Sequence, residues 1–284
     1  MPLTQPTTLE ASQTLGDKTR IAALNATILY VLAYLTADFL SRLLMVLTAA
    51  QLHIPSAWHL GRVQFRIADA DWWRNAVVAV YSAGPLACLL LAVGAGLWCW
   101  RRARQRRGLL KQYLVWLVLH GFNLFFGALI ADTFTRSGFW FVPAWLFLAG
   151  NGVTVALAVL FGLVFVVLGY FTTPLFLQSH DSRTLMRYPQ RRRLLLATLL
   201  TPWLAGSLLL AAFRYPELTI NEELRFVTLL LALGPIALAS ANELFEFTVP
   251  VPQKTRVAWG LVVVLAVVLV VARLALGGPG ILFG

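Results

Sequence analysis

The stretch ILYVLAYLTADFLSRLLMVLTAA, residues 28–50, decides the fold class. About 20 residues rising ~1.5 Å each cross a hydrocarbon layer ~30 Å thick, so this run spans it as one helix. Asp38 and Arg42 interrupt it. An ionisable group at the centre of an inserted helix costs about 2.5–3.5 kcal/mol, so two of them there need a reason. Four residues apart, they share a helix face and can neutralise one another. The stretch therefore reads as a membrane helix carrying an internal ion pair.

Composition extends that reading to the whole chain. Hydrophobic residues make up 59% and charged residues 12%, with a mean hydropathy of +0.76. A soluble domain carries about a quarter charged residues, so a water-soluble class is excluded. Segments of span length recur at 23–50, 75–100, 112–132, 140–176, 194–213, 226–245 and 256–276. They predict an all-α polytopic transmembrane helical bundle of about seven spans, within a range of six to eight. Residues 23–276 form one domain, flanked by a flexible tail at 1–22 and a short tail at 277–284. The segment 140–176 is too long for one straight helix, and Pro143, Gly150, Asn151 and Gly152 break it. FWFVPAWLFLAG is expected to lie at the interface or re-enter, leaving 153–173 as the true span. MPLTQPTTLEASQTLGDKTR has no basic region ahead of an apolar core, so no signal peptide is expected.

The formal net charge is +11, and its placement argues against nucleic acid as a partner. Arg101, Arg102, Arg104, Arg106, Arg107 and Lys111 fill one loop; Arg183, Arg187, Arg191, Arg192 and Arg193 fill another, beside the single acid Asp181. Short basic loops between spans stay on the cytoplasmic side, next to anionic headgroups. Loops 101–111 and 183–193 are thus expected to meet anionic lipid, with the N-terminus cytoplasmic, in a bacterial inner membrane. RYPELTINEELR, residues 214–225, then becomes an outward loop.

The second span carries Gly84, Cys88, Ala92 and Gly96 every four residues, a strip of small side chains on one face. Lipid offers helices no hydrophobic drive to associate, so close backbone approach over such a strip marks a packing face. Pro85 should bend that helix. Cys88 and Cys99, eleven residues apart on it, lie roughly 16 Å apart and are too distant for a disulfide. Tryptophans cluster near span ends, as an aromatic belt requires.

Polar residues inside spans are candidate functional groups. Asp38, Arg42, His120, Asn123 and Asp132 form the main candidate cluster, with His120 and Asn123 sharing one face of the third span. Glu243 and Glu246, at the end of the sixth span, are secondary candidates, and carboxylates at span ends can reach headgroup water. Zinc-site spacings, nucleophile elbows and phosphate-binding loops are lacking from the sequence, so neither catalytic residues nor a metal or cofactor are expected.

Three stations in order resemble the site-2-protease family of intramembrane zinc metallopeptidases. VYSAGPLACLLLA at 80–92 is similar to the family's A-G-P-[LIV]-A-N-like motif, and HGFNLFFGALIAD at 120–132 to its span with N-x-x-P and a metal-binding Asp-Gly. The H-E-x-x-H station would fall on Ala37, Asp38, Phe39, Leu40 and Ser41, where both imidazoles are lacking and the acid is shortened. Thr133 stands where the family's glycine follows the Asp. Catalytic zinc needs three protein ligands, and of these only Asp132 remains. The resemblance covers residues 25–140 and implies a degenerate relative, in which Asp38 and Arg42 line a former active-site cavity faced by His120 and Asn123. The expectation is a non-catalytic protein that binds lipid or a transmembrane segment of another protein. A small transporter using the polar cluster, or a membrane enzyme of another class, are the alternatives.

Overall fold

The computed structural model describes residues 14–102, 108–147, 150–242 and 256–284. Among these, seven helices are long and apolar enough to cross a membrane: α1 (Leu15–Gln51), α2 (Arg74–Arg101), α3 (Gly108–Thr135), α5 (Asn151–Gln178), α6 (Tyr188–Arg214), α7 (Ile220–Ser240) and α8 (Trp259–Leu276). The short apolar α4 (Gly138–Phe147) sits between α3 and α5. The molecule is a multi-pass membrane protein, nearly all α. The break in 140–176 falls where proline and glycine place it: α4 ends before Gly150, and α5 alone has span length.

Several boundaries differ from the sequence reading. Residues 15–22 belong to α1 rather than to a tail, because Thr14 caps the helix by accepting from the Asp17 N–H at 3.1 Å. Residues 281–283 are likewise not a loose tail. They form β3 (Ile281–Phe283), paired antiparallel with β1 (Ser56–Trp58), which also pairs with β2 (Val63–Phe65). Ser56 stands opposite Phe65 on one side and Phe283 on the other. This small sheet, in the order β2-β1-β3, caps the bundle end where α1 finishes and α2 starts. The opposite, basic end holds Gly108 and Asp181, where the Gly108 N–H donates to Asp181 Oδ2 at 2.5 Å. That bond brings the two arginine-rich connections to the same end.

α1, α2 and α3 pack against one another around a core of Tyr30, Tyr34, Cys88, Trp116 and Leu119. The small-residue strip explains the closeness. A Cβ on Gly84 would lie 2.9 Å from the Ser41 carbonyl oxygen of α1, and one on Gly121 of α3 would lie 2.7 Å from the Cys88 carbonyl oxygen. Cys88 and Ala92 are buried in the same seam. Gly96 departs from the pattern: a Cβ there meets only Val118 at 3.7 Å, an ordinary contact. By contrast, α5 and α8 present most of their valine and leucine side chains outward, as lipid-facing helices must.

Candidate functional site

Asp38 and Arg42 point into the bundle and are 2% and 8% exposed. Arg42 Nε donates to Asp38 Oδ2 at 2.9 Å, one helical turn away. Two residues from distant sequence complete the group. Arg214, the last residue of α6, donates from Nη2 to Asp38 Oδ2 at 2.5 Å, and from Nη1 to Glu222 and to the Tyr34 hydroxyl, the latter at 3.0 Å. Arg42 Nη2 also donates to Glu222 Oε1 at 2.5 Å. Two carboxylates and two guanidiniums thus form a closed ring of zero net charge. Removing charges from water costs several kcal/mol each, so only such complete pairing lets four of them stay inside.

Local sequence places Glu222. Thr219 caps α7 by accepting from the Glu222 N–H, and Glu222 Oε2 accepts from the Thr219 N–H at 3.3 Å, a reciprocal capping box. A carboxylate at a helix start and an arginine at a helix end each complement the helix dipole. The α6–α7 turn, expected at 214–225 as an outward loop, lies at the sheet end opposite the basic end, and two of its charges turn into the bundle. Arg214 is fully buried, Glu222 is 2% exposed, and the β1–β2 segment covers the turn through the Gly61 N–H, which donates to Glu217 Oε2 at 2.9 Å.

Asp132 belongs to a second network on the other side of α7. Both of its oxygens accept from Arg225 Nη2, at 2.9 and 3.0 Å. Oδ1 also accepts from Asn221 Nδ2 at 3.0 Å, and Oδ2 from the Phe139 N–H at 2.8 Å. With none of its surface exposed, Asp132 does not reach headgroup water. Asn123 sits in a π-helical turn of α3, Asn123–Gly127, and uses both ends of its amide on α7. Its Nδ2 donates to the Arg225 carbonyl at 2.7 Å, and its Oδ1 accepts from the Thr228 hydroxyl at 2.9 Å.

The five main candidates consequently split. Asp38 and Arg42 pair with each other as expected, while Asn123 and Asp132 turn to α7 instead of facing them. His120 joins neither network by a hydrogen bond. Its ring lies between Tyr30, Tyr34 and Trp116, with centroids 4.4, 5.3 and 5.9 Å away, and its Nε2 lacks a partner among the described residues. Glu243 and Glu246 lie outside the described residues. Among the described residues, no three His, Cys, Asp or Glu side chains gather where a metal ion could be held.

A separate cavity of about 290 Å³ opens at the basic end between the start of α3, the end of α5 and the start of α8. Gln112 lines it, 7% exposed and without a hydrogen bond among the described residues. Asp181 stands on its wall between Lys111 Nζ at 3.1 Å and the Gly108 N–H. His180 lies just beyond the end of α5, its ring nitrogens near the Phe176 carbonyl at 2.9 Å and the Thr198 hydroxyl at 2.9 Å. Burial pushes its pKa down to about 4, against the opposing pull of the Phe176 carbonyl.

No protein-family model, curated protein or solved structure matches the chain. The site must be read from its own chemistry.

Four network residues escaped the sequence reading: Arg214, Asn221, Glu222 and Arg225. The signal was present in TINEELRFVTLLLALG, where a Thr-x-x-Glu capping pattern leads without a break into an apolar run. Asn221, Arg225 and Thr228 recur at helical spacing on one face of that run. Read as a helix start rather than a loop, the segment brings its charges inside with the span.

Proposed function

We propose that this chain is a non-catalytic membrane protein that binds an anionic lipid headgroup in the cavity at its basic end. The observation that carries the reading is Gln112. Its amide has no hydrogen-bond partner among the described residues and lines the cavity, so its donors and acceptors are free for a ligand there. The cavity sits at a helix-bundle end, lined by residues at both basic connections, Gly108 and Gln112 at one and Asp181 and Leu185 at the other. Arg256 lines the same cavity, and a guanidinium there has donors to offer a phosphate oxygen. The basic end faces the cytoplasm in this reading, and the membrane is a bacterial inner membrane, since anionic lipid and basic loops attract there.

The charge networks fit a binder. Each acid is held by an arginine, which leaves it poorly placed to act as a base or a metal ligand. Kinship with the site-2-protease family remains part of the proposal, supported by the mutual packing of the first three helices and by the seating of Gly84 on Ser41. In such a relative, arginines fill the place of the lost zinc chemistry.

Native mass spectrometry of protein released from mixed phosphatidylglycerol and phosphatidylethanolamine nanodiscs tests the function. Retained phosphatidylglycerol that drops in Gln112→Leu and in the cavity-filling Ala22→Leu is the expected result. An unchanged lipid profile in both, with each variant folded, overturns the proposal.

A further inference from the structure

At the sheet end, opposite the lipid cavity, a second cavity of about 230 Å³ lies between the entry to α2 and α4. Trp72, Tyr81, Phe141 and Trp145 contribute four aromatic rings, Val77 an apolar floor, and Asp69 a carboxylate. The rings hold one another in place: Trp72 and Tyr81 are 5.8 Å apart at 41°, and Tyr81 and Phe141 are 5.2 Å apart at 50°. These lining pairs are tilted rather than stacked, so their π faces are not spent on each other. Behind them, Phe65 meets Trp72 edge-on at 5.4 Å and Tyr81 at 5.7 Å. Arg74 Nη2 donates to the Leu146 carbonyl at 2.5 Å, which ties α2 to the far end of α4.

Asp69 is exposed at the rim and makes neither a hydrogen bond nor an ion pair among the described residues. The other described lining residues carry no formal charge. An interfacial aromatic belt accounts for tryptophans near the ends of spans. It does not account for four rings arranged around a cavity with an unspent carboxylate at its edge.

The geometry points to a binding site for a quaternary ammonium group. Aromatic faces are negative and attract a cation that has no N–H to donate, and the carboxylate supplies the countercharge. The volume lies below the ~300–1,000 Å³ of pockets for drug-sized ligands and suits a compact head. The ammonium can arrive on a choline lipid or on a free organic cation, since the site opens at an end of the bundle, within reach of either. The site is independent of the lipid cavity at the other end.

Calorimetric titration of the protein in phosphatidylglycerol nanodiscs, which contain no choline, tests the free-cation source. Choline should bind at least about tenfold more tightly than its neutral carbon analogue 3,3-dimethylbutan-1-ol. Trp72→Leu and Tyr81→Leu should each weaken choline about 30-fold, and Asp69→Asn about tenfold. Asp69 is exposed and outside the core, so that variant reads the site even where an aromatic variant fails to fold. A second arm measures phosphatidylcholine retained through extraction from a mixed phosphatidylcholine and phosphatidylglycerol membrane. Choline binding without lipid retention assigns a free cation, and retention lost in Asp69→Asn assigns the lipid. Equal binding of the neutral analogue, affinity unchanged by all three variants, or neither ligand bound overturns the inference.

Discussion

Arg214 and Asp38, 176 residues apart in the chain, are joined inside the bundle by a hydrogen bond of 2.5 Å. The contact makes the end of α6 a structural partner of the middle of α1, and it turns a local ion pair into a ring of four charges. Deleting one member strands its neighbour. Asp38→Asn or Arg42→Gln alone should destabilise the protein by about 3–5 kcal/mol. The double variant leaves Arg214 and Glu222 still paired, so its loss should fall short of the sum. Reversible unfolding in mixed micelles measures all three, and strictly additive losses would contradict the ring.

The second network makes a prediction about charge geometry. Asp132 receives Arg225, Asn221 and the Phe139 N–H together. Asp132→Asn keeps the shape but leaves a guanidinium without its counterion, at a cost of about 3 kcal/mol or more. Arg225→Lys keeps the charge but not the planar fork, and should recover only part of the stability that Arg225→Ala loses. Full recovery in the lysine variant would mean that charge alone matters there.

Glycines in one helix should differ sharply. Gly84→Ala drives a methyl group against the backbone of Ser41, which cannot swing away as a side chain does, and should cost about 1–3 kcal/mol. Gly96→Ala meets only Val118 at 3.7 Å and should be neutral or slightly stabilising, because alanine favours the helix by up to ~1 kcal/mol. Melting temperatures of the two variants decide this directly.

Acid should weaken the basic end. With a native pKa of about 4 and an ordinary value near 6.5, His180 takes up its proton more readily in the unfolded chain. Its contribution to stability is therefore complete above about pH 6.5, declines as pH falls, and is gone near pH 4. The shift corresponds to roughly 3 kcal/mol at most, and water in the adjoining cavity should reduce this to about 1–2 kcal/mol. His180→Gln should flatten the stability profile between pH 6.5 and about 4 relative to the native chain; an unchanged slope would assign the acid sensitivity elsewhere.

Sidedness can be measured by labelling, because the native cysteines Cys88 and Cys99 are buried. Arg102→Cys at the basic end should react with an impermeant maleimide only when the cytoplasmic face is opened. Arg62→Cys, beside the sheet, should react in intact cells. The reverse pattern would invert the topology.

The amino-acid sequence by itself determined the class, the number of spans and the break before Gly150. It also paired Asp38 with Arg42. Each of these follows from local physics: a hydrocarbon slab demands ~20 apolar residues per crossing, prolines and glycines interrupt helices, and residues four apart share a face. Only the tertiary structure decided that Arg214 and Glu222 complete the ring, that Asp132 answers to Arg225 across 93 residues, and that His120 stands apart among tyrosines. A charged residue inside a membrane must find a countercharge somewhere, but periodicity carries no record of which helix supplies it. That choice rests on how closely α1, α6 and α7 approach, which the small residues and the capped turn fix only once the bundle has closed.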